Sequence, residues 1–238
     1  LIAVNIGLSI VLKLGLTKQW GIASLRMVGQ LLMVGFLLDW VFTLNNPLWI
    51  LGVAFFMATV ASITAVGLTG KRFSTIYLNS FISILGAAFF VMFFVLSGIL
   101  QIDPWYSPQY LFPLLGMVLG NTLNGISLAL ERFMESLSVR RKEVEMLLSL
   151  GATSWEAAHE LIRDALRTSM IPTLNSMMVM GIVSLPGMMT GQILSGVPPM
   201  IAVRYQVMVM CMLFGSTGIS VAVFLQSVRV QFTGKKFI

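Results

Sequence analysis

The sequence predicts an all-α integral membrane protein: a polytopic bundle of about seven transmembrane helices with one sizeable cytoplasmic loop. Three observations carry this. Only 10% of the 238 residues are charged and 57% are hydrophobic, with mean hydropathy +0.92, whereas a soluble domain carries about 25% charged residues. The apolar residues form runs of the roughly 20 residues that a helix needs to cross about 30 Å of hydrocarbon. The basic residues collect between alternate runs, the bias that sets orientation in a membrane.

The runs lie at about 1–16, 23–44, 48–69, 75–100, 109–130, 171–195 and 203–228. They are too long, and alternate too little, for barrel strands. The first opens inside an apolar segment without an initiating Met, so further residues are expected before Leu1. It leads directly into more spans and is not read as a cleaved signal peptide. Lys13, Lys18 and Arg26 follow the first run, and Lys71 and Arg72 the third. Arg132, Arg140, Arg141, Lys142, Arg163 and Arg167 follow the fifth, and Arg229, Lys235 and Lys236 the seventh. All fifteen basic residues except Arg204 thus share one side, and the other side holds Asp39, Asp103 and Arg204. This predicts a multi-pass protein of the cell membrane with its N-terminus outside and its C-terminus in the cytoplasm. Trp40, Trp49, Trp105, Tyr106 and Tyr110 cluster on the outer side beside short turns rich in Asn, Pro and Gly, as interfacial aromatic belts do.

The same distribution disposes of other functions. A net charge of +6 and a pI near 9.8 suit a nucleic-acid binder, but here the positive charge marks topology and no nucleic-acid partner is expected. One cysteine, Cys211 in an apolar run, allows no internal disulfide. A phosphate-binding loop needs Gly, four residues, then Gly-Lys and Ser or Thr. Gly70-Lys71 is followed by Arg72, and Ala65 stands where the first Gly belongs, so this chain does not cradle ATP by that route.

The loop at about 131–170 is where charge returns. In Val139 to Leu150, apolar Val144, Leu147 and Leu148 share one helical face among Arg140, Arg141, Glu143 and Glu145. Gly151 offers a left-handed stop, and Thr153 with Glu156 forms a capping box that starts a second helix. That helix places Trp155, Ala158, Leu161, Ile162 and Ala165 on one side. The product is helix, tight turn, helix. It is either a docking knob with Trp155 as its aromatic anchor or an amphipathic element lying on the lipid surface.

The sixth run carries Pro186-Gly187 at mid-span, where proline removes a backbone hydrogen bond and kinks the helix. In transporters such breaks mark a substrate path or a gate; a static kink that serves packing is the alternative. Ten of the seventeen methionines lie between Met170 and Met212. Thioethers favour soft ions such as Cu(I), and flexible Met also fills irregular gaps between helices. Met188, Met189, Ser184, Gln192, Asn121 and Gln206 join Pro186 and Gly187 as candidates for a hinge or translocation path. The polar members serve equally as glue between helices. No cluster of Asp, Glu or His falls within the spans, so no metal ligands are assigned.

Several runs of residues resemble one family over nearly the whole chain. They are Leu148-Ser149-Leu150-Gly151-Ala152-Thr153, Leu161-Ile162-Arg163-Asp164, Ile171-Pro172-Thr173, Val183-Ser184-Leu185-Pro186-Gly187-Met188-Met189-Thr190-Gly191 and Tyr205-Gln206-Val207-Met208-Val209. Arg26, Gln30-Leu31, Val34-Gly35, Gly116-Met117 and Gly120-Asn121 add to them. This set is similar to the FetB iron-export permease family, which includes plant aluminium-sensitivity half-transporters. Glu145, six residues before Gly151, also matches the Glu and Gly of the coupling loop of ABC-transporter permeases; Met146 and Leu147 replace its alanines, and its second half departs at Leu161 and Arg163-Asp164. The resemblance implies one ABC permease domain over 1–238, the membrane half of an exporter, without catalytic residues of its own. It implies a permease homodimer paired with separate cytoplasmic ATPase subunits that hold the ATP and Mg. The coupling residues are then Glu145, Gly151, Ala152, Thr153, Trp155 and Glu156. The rival readings are a carrier driven by an ion gradient, for which the spans hold no ionisable relay, and a membrane scaffold.

Overall fold

The computed structural model describes residues 6–7, 11–13, 17–44, 46–67 and 76–233. They fall into two compact units, Leu1–Ile50 and Leu51–Ile238. In the first, helix α1 (Thr17–Leu44) leads to the start of α2 (Pro47–Gly67). Asn46 Oδ1 accepts the Leu48 backbone N–H at 3.0 Å, and Pro47 occupies the first helical position, where its missing N–H costs nothing. The Trp40 and Trp49 rings meet edge to face at 5.6 Å.

The second unit holds the rest of α2 and then α3 (Ile76–Phe93), which runs into a π-helical turn at Phe94–Ile99. It continues with α4 (Pro108–Val139), α5 (Arg141–Ser149), α6 (Ser154–Val179), α7 (Gly187–Leu194) and α8 (Pro199–Thr233). Helix α8 is the hub, packed against α3, α4, α6 and α7. Phe224, Leu225 and Val221 on α8 are fully buried, as are Ile126, Leu130 and Phe133 on α4. Lipid tails are as apolar as these side chains, so association rests on close fit and on hydrogen bonds between helices. The Ser127 hydroxyl donates to the Ala65 carbonyl at 2.8 Å, Ser62 to Tyr77 at 3.3 Å and Ser220 to Ser83 at 3.3 Å. These four helices are thereby stitched by short hydroxyls at their contacts.

Five helical stretches are long and apolar enough to cross a membrane: Thr17–Phe42, Pro47–Gly67, Ile76–Ile99, Pro108–Val139 and Pro199–Val228. They match the second, third, fourth, fifth and seventh expected spans, with corrections. The first, 1–16, lies largely outside the described residues. Helix α1 begins at Thr17, so Lys18 and Arg26 are helical and not part of a connecting loop. Helix α4 runs on to Val139, beyond the expected end near 130, because Glu131 to Val139 keeps its helical period with Phe133 and Met134 still buried. The sixth span is not one kinked helix: residues 171–179 end α6, residues 180–186 are non-helical, and α7 is separate.

Among the described glycines, Gly125 makes the tightest approach, between α4 and α8. A Cβ on Gly125 would meet Thr217 Cγ2 at 2.6 Å and Val221 Cγ2 at 3.2 Å, and both of those residues are buried. Gly125→Ala is therefore expected to push the helices apart and cost about 1–3 kcal/mol. Adding Thr217→Ser removes the opposing methyl and should recover most of that loss. Thermal unfolding in detergent of both variants measures the coupling; simple additivity would show that the two residues do not oppose each other.

Candidate functional site

The charged helix–turn–helix is built as its residues dictate. Helix α5 ends in a tight cap: Gly151 stands at φ +91°, its N–H donates to the Leu148 carbonyl at 3.1 Å, and the Ala152 N–H donates to Leu147 at 3.0 Å. This is a Schellman arrangement, which satisfies two carbonyls at the helix end. One residue later Thr153 caps α6. Its Oγ1 accepts the Glu156 N–H at 3.3 Å, and Glu156 Oε2 accepts the Thr153 N–H at 2.7 Å. The backbone bond first, and the Thr153 hydroxyl second, hold the Glu156 carboxyl below its ordinary value. A lowered value means that the cap is complete above the ordinary carboxylate range and is lost only as pH falls through the lowered one.

The expected coupling residues thus share one turn, apart from Glu145, which lies on α5 paired with Arg141 at 2.7 Å. That exposed pair adds little stability. No residue of α5 is buried. Trp155 departs from the expected face: α6 buries Ala157, Leu161, Ile162 and Ala165, while Trp155 is 37% exposed. Its ring meets the His159 ring edge-on at 4.8 Å. With Met146 and Leu150, also exposed, it puts apolar surface beside the turn.

At the other end of α6 lies a cavity of about 350 Å³. Three helices wall it. From α4 come Met117, Asn121, Asn124, Gly125 and Leu128; from α6, Ser169, Pro172, Thr173 and Ser176; from α8, Gln206, Val209, Met210 and Leu213. Met180 and Pro186 of the segment between α6 and α7, with Gly187 and Met188 at the start of α7, close it. No lining residue carries a charge. Among the described residues there is no group of three or more His, Cys, Asp or Glu placed to hold a metal ion.

Gln206 brings a buried, unpartnered polar atom to the cavity wall. It is 6% exposed, its Nε2 donates to Met180 Sδ at 3.7 Å, and its Oε1 is buried without a partner. Asn121 Nδ2 donates to the Met117 carbonyl at 3.0 Å. The Ser169 and Ser176 hydroxyls donate to Leu166 and Pro172 on their own helix, at 2.8 and 2.9 Å. Their protons are engaged, so these hydroxyls face a ligand as acceptors.

The break in the sixth expected span is wider than a proline kink and has its own hydrogen bonds. The Val183 N–H donates to Val179 at 2.9 Å and Gly181 to Ser184 at 2.9 Å, with Gly181 at φ +83°. Pro186 stands at the N-cap of α7 with extended backbone and Gly187 is its first residue. Proline suits a helix start; what ends α6 is the turn at Gly181, six residues before α7 begins. Alanines at Pro186 and Gly187 would therefore not restore one continuous helix. Of the expected path residues, Asn121, Pro186, Gly187, Met188 and Gln206 line the cavity; Ser184, Met189 and Gln192 do not. Ser184 is exposed in the break, and Gln192 sits on α7 with its Oε1 buried and unpartnered.

Ser169, Pro172, Thr173 and Ser176 line the cavity in addition to the residues expected from the sequence. Their signal is a helical stripe, with spacings of three, four and seven, and α8 repeats it at Gln206, Val209, Met210 and Leu213. Each stripe mixes polar and apolar residues, so it raises no amphipathic pattern.

Comparison with known proteins gives a consistent picture. The family model described as "Uncharacterised protein family (UPF0014)" matches residues 1–233. A UPF0014 membrane protein of Synechocystis is 42% identical over 197 residues, covering 83% of this chain and 76% of that protein. The Probable iron export permease protein FetB of Escherichia coli is 33% identical, covering 87% and 79%. The Protein ALUMINUM SENSITIVE 3 of Arabidopsis thaliana is 32% identical, covering 80% and 68%. No solved structure matches the chain. With a family model spanning nearly its full length, an all-helical polytopic build and a permease among its relatives, the chain belongs to the UPF0014 family of multi-pass membrane proteins.

Proposed function

We propose that this chain is the membrane permease subunit of an ABC transporter that exports metal ions of the iron type. ATP, with its Mg, is bound and hydrolysed on separate cytoplasmic ATPase subunits, two of which pair with a permease homodimer in the cell membrane. One observation carries the reading: α6 is a single helix that starts in the capped turn at Thr153 and ends in the cavity wall at Ser176. At 1.5 Å per residue that is about 35 Å, and the part before Pro172 carries a push on the turn as a rigid displacement to the near wall of the cavity at Ser169. Pro172, inside α6 and on the cavity wall, cannot donate to the carbonyl four residues before it. It is the natural point for the helix to flex. The FetB relative, named for iron export, supports the direction and the cargo.

Trp155→Ala tests the docking turn. Loss of a hot-spot aromatic costs about 2 kcal/mol or more, so co-purification of the ATPase and its permease-stimulated hydrolysis should both fall, with thermal stability in detergent unchanged. Normal co-purification and hydrolysis would place docking elsewhere.

Topology provides a second check. A reporter after Ile238 should be cytoplasmic, and a tag in the 103–108 loop should be labelled from outside. The opposite labelling would put the turn on the wrong side for an ATPase.

The break supplies a third. Gly181→Ala forces an L-residue into φ +83°, at a cost of about 1–2 kcal/mol, and biases the segment away from the conformation seen. Efflux from vesicles, measured with a panel of metals and normalised to assembled complex, should drop while ATPase binding stays intact. Unchanged efflux per complex would make the break a static feature.

A further inference from the structure

Four methionines line the cavity that α6 reaches, and they come from four different segments: Met117 on α4, Met180 in the break, Met188 on α7 and Met210 on α8. Met used as packing filler needs no such convergence. Two further features bear on what these thioethers meet. Gln206 donates its amide N–H to Met180 Sδ, which orients that thioether. The Gln206 carbonyl oxygen is left buried and unpartnered on the same wall, a negative dipole end with nothing to offset it. A buried acceptor of that kind calls for a donor or a cation.

We propose that the cavity is a transit site for a soft monovalent d¹⁰ cation, Cu(I) or Ag(I), held by the thioethers of Met117, Met180, Met188 and Met210. The inference rests on reading the cavity as the transport path and gives that path a second class of cargo beside iron-type ions. Thioethers are soft ligands that select Cu(I), whereas carboxylates and imidazoles, which suit harder and borderline divalent ions, are absent from the lining. Charge decides in the same direction. The uncapped N-terminus of α7 borders the cavity at Gly187 and Met188 and places roughly half a positive charge there. Its repulsion of a divalent ion is twice that of a monovalent one, because Coulomb energy is linear in charge. Desolvation in a site without counter-charge grows with the square of the charge, which penalises the divalent ion further. No redox step is involved: the ion enters and leaves in one oxidation state, exchanging water or carrier ligands for thioethers.

The test uses the full chain in nanodiscs, with Cys211→Ser as the background, since that exposed thiol would itself take up the probe. Silver nitrate is titrated calorimetrically, and Cu(I) is measured by competition with a chromophoric chelator under anaerobic conditions. Met117→Leu, Met180→Leu and Met210→Leu preserve volume. Each should weaken Ag(I) binding by at least the about tenfold that losing a mere supporting partner costs a metal site, and the triple variant should abolish it. Met134→Leu, buried away from the cavity, should change nothing. Gln206→Leu frees the Met180 thioether and should weaken binding less than Met180→Leu does. Equal Ag(I) affinity in the background and the triple variant would overturn the proposal, as would Fe(II) binding more tightly than Ag(I). The outcome is separable from the transporter reading: intact ATPase association with thioether-independent silver binding sinks the soft-ion site alone. Thioether-dependent binding in a chain that never recruits an ATPase upholds the site and sinks the ABC assignment.

Discussion

At Gly125 the backbone of α4 comes so near α8 that not even a methyl group fits between Gly125 and Thr217. Much else is fixed by that contact. Hydrophobic burial does not hold helices together in lipid, so the bundle depends on places where backbones approach closely. This one locks the two longest helices of the second unit. Gly125 also belongs to the cavity wall, so the residue that sets the distance between α4 and α8 sets the width of the cavity between their stripes. Helix α6 then packs on both and supplies the third wall. Packing and site are therefore one arrangement, and a change in the seam is a change in the cavity.

Helix α6 joins two environments. Its first turns carry Glu156, Glu160, Arg163 and Asp164, and its last residues are Met177, Met178 and Val179. A helix of that composition is too polar to count as a span by hydropathy, and it is absent from the helices long and apolar enough to cross a membrane. Its ends are nevertheless the two candidate sites: a doubly capped turn at one, a cavity wall and a break at the other. The Schellman cap on α5 and the capping box on α6 lie two residues apart at Gly151 and Thr153. That leaves the turn little freedom, and a stiff turn transmits a force where a floppy one would absorb it.

How much of this the sequence announces depends on the residue. The turn was legible to the atom pair, because Gly151, Thr153 and Glu156 act through local backbone chemistry that three to six residues specify. The spans with uniform apolar composition were legible for the same local reason. The sixth was not. Its hydropathy continues from Ile171 through Leu194, yet Gly181 adopts a left-handed conformation and the chain turns on itself through Val179 and Ser184. Pro186 drew attention as the breaker, but it begins a helix. The cavity was half legible. Asn121 and Gln206 stood out as amides in apolar runs, while Ser169, Thr173 and Ser176 read as ordinary helix residues until three stripes met in space. Spacing groups Trp155 with Ala158, Leu161, Ile162 and Ala165; the structure buries the last three together with Ala157 and leaves Trp155 exposed beside the turn.

The neutrality of the cavity lining has an electrical consequence. With no charged residue along it, the wall brings no gating or compensating charge into the membrane field. Any ion moving through such a path carries the full transmembrane potential on its own charge, about 2.3 kcal/mol per elementary charge per 100 mV. Outward movement of a cation against an inside-negative membrane would be electrogenic, and its energetic demand would track the voltage of the cell as well as the concentration of the ion.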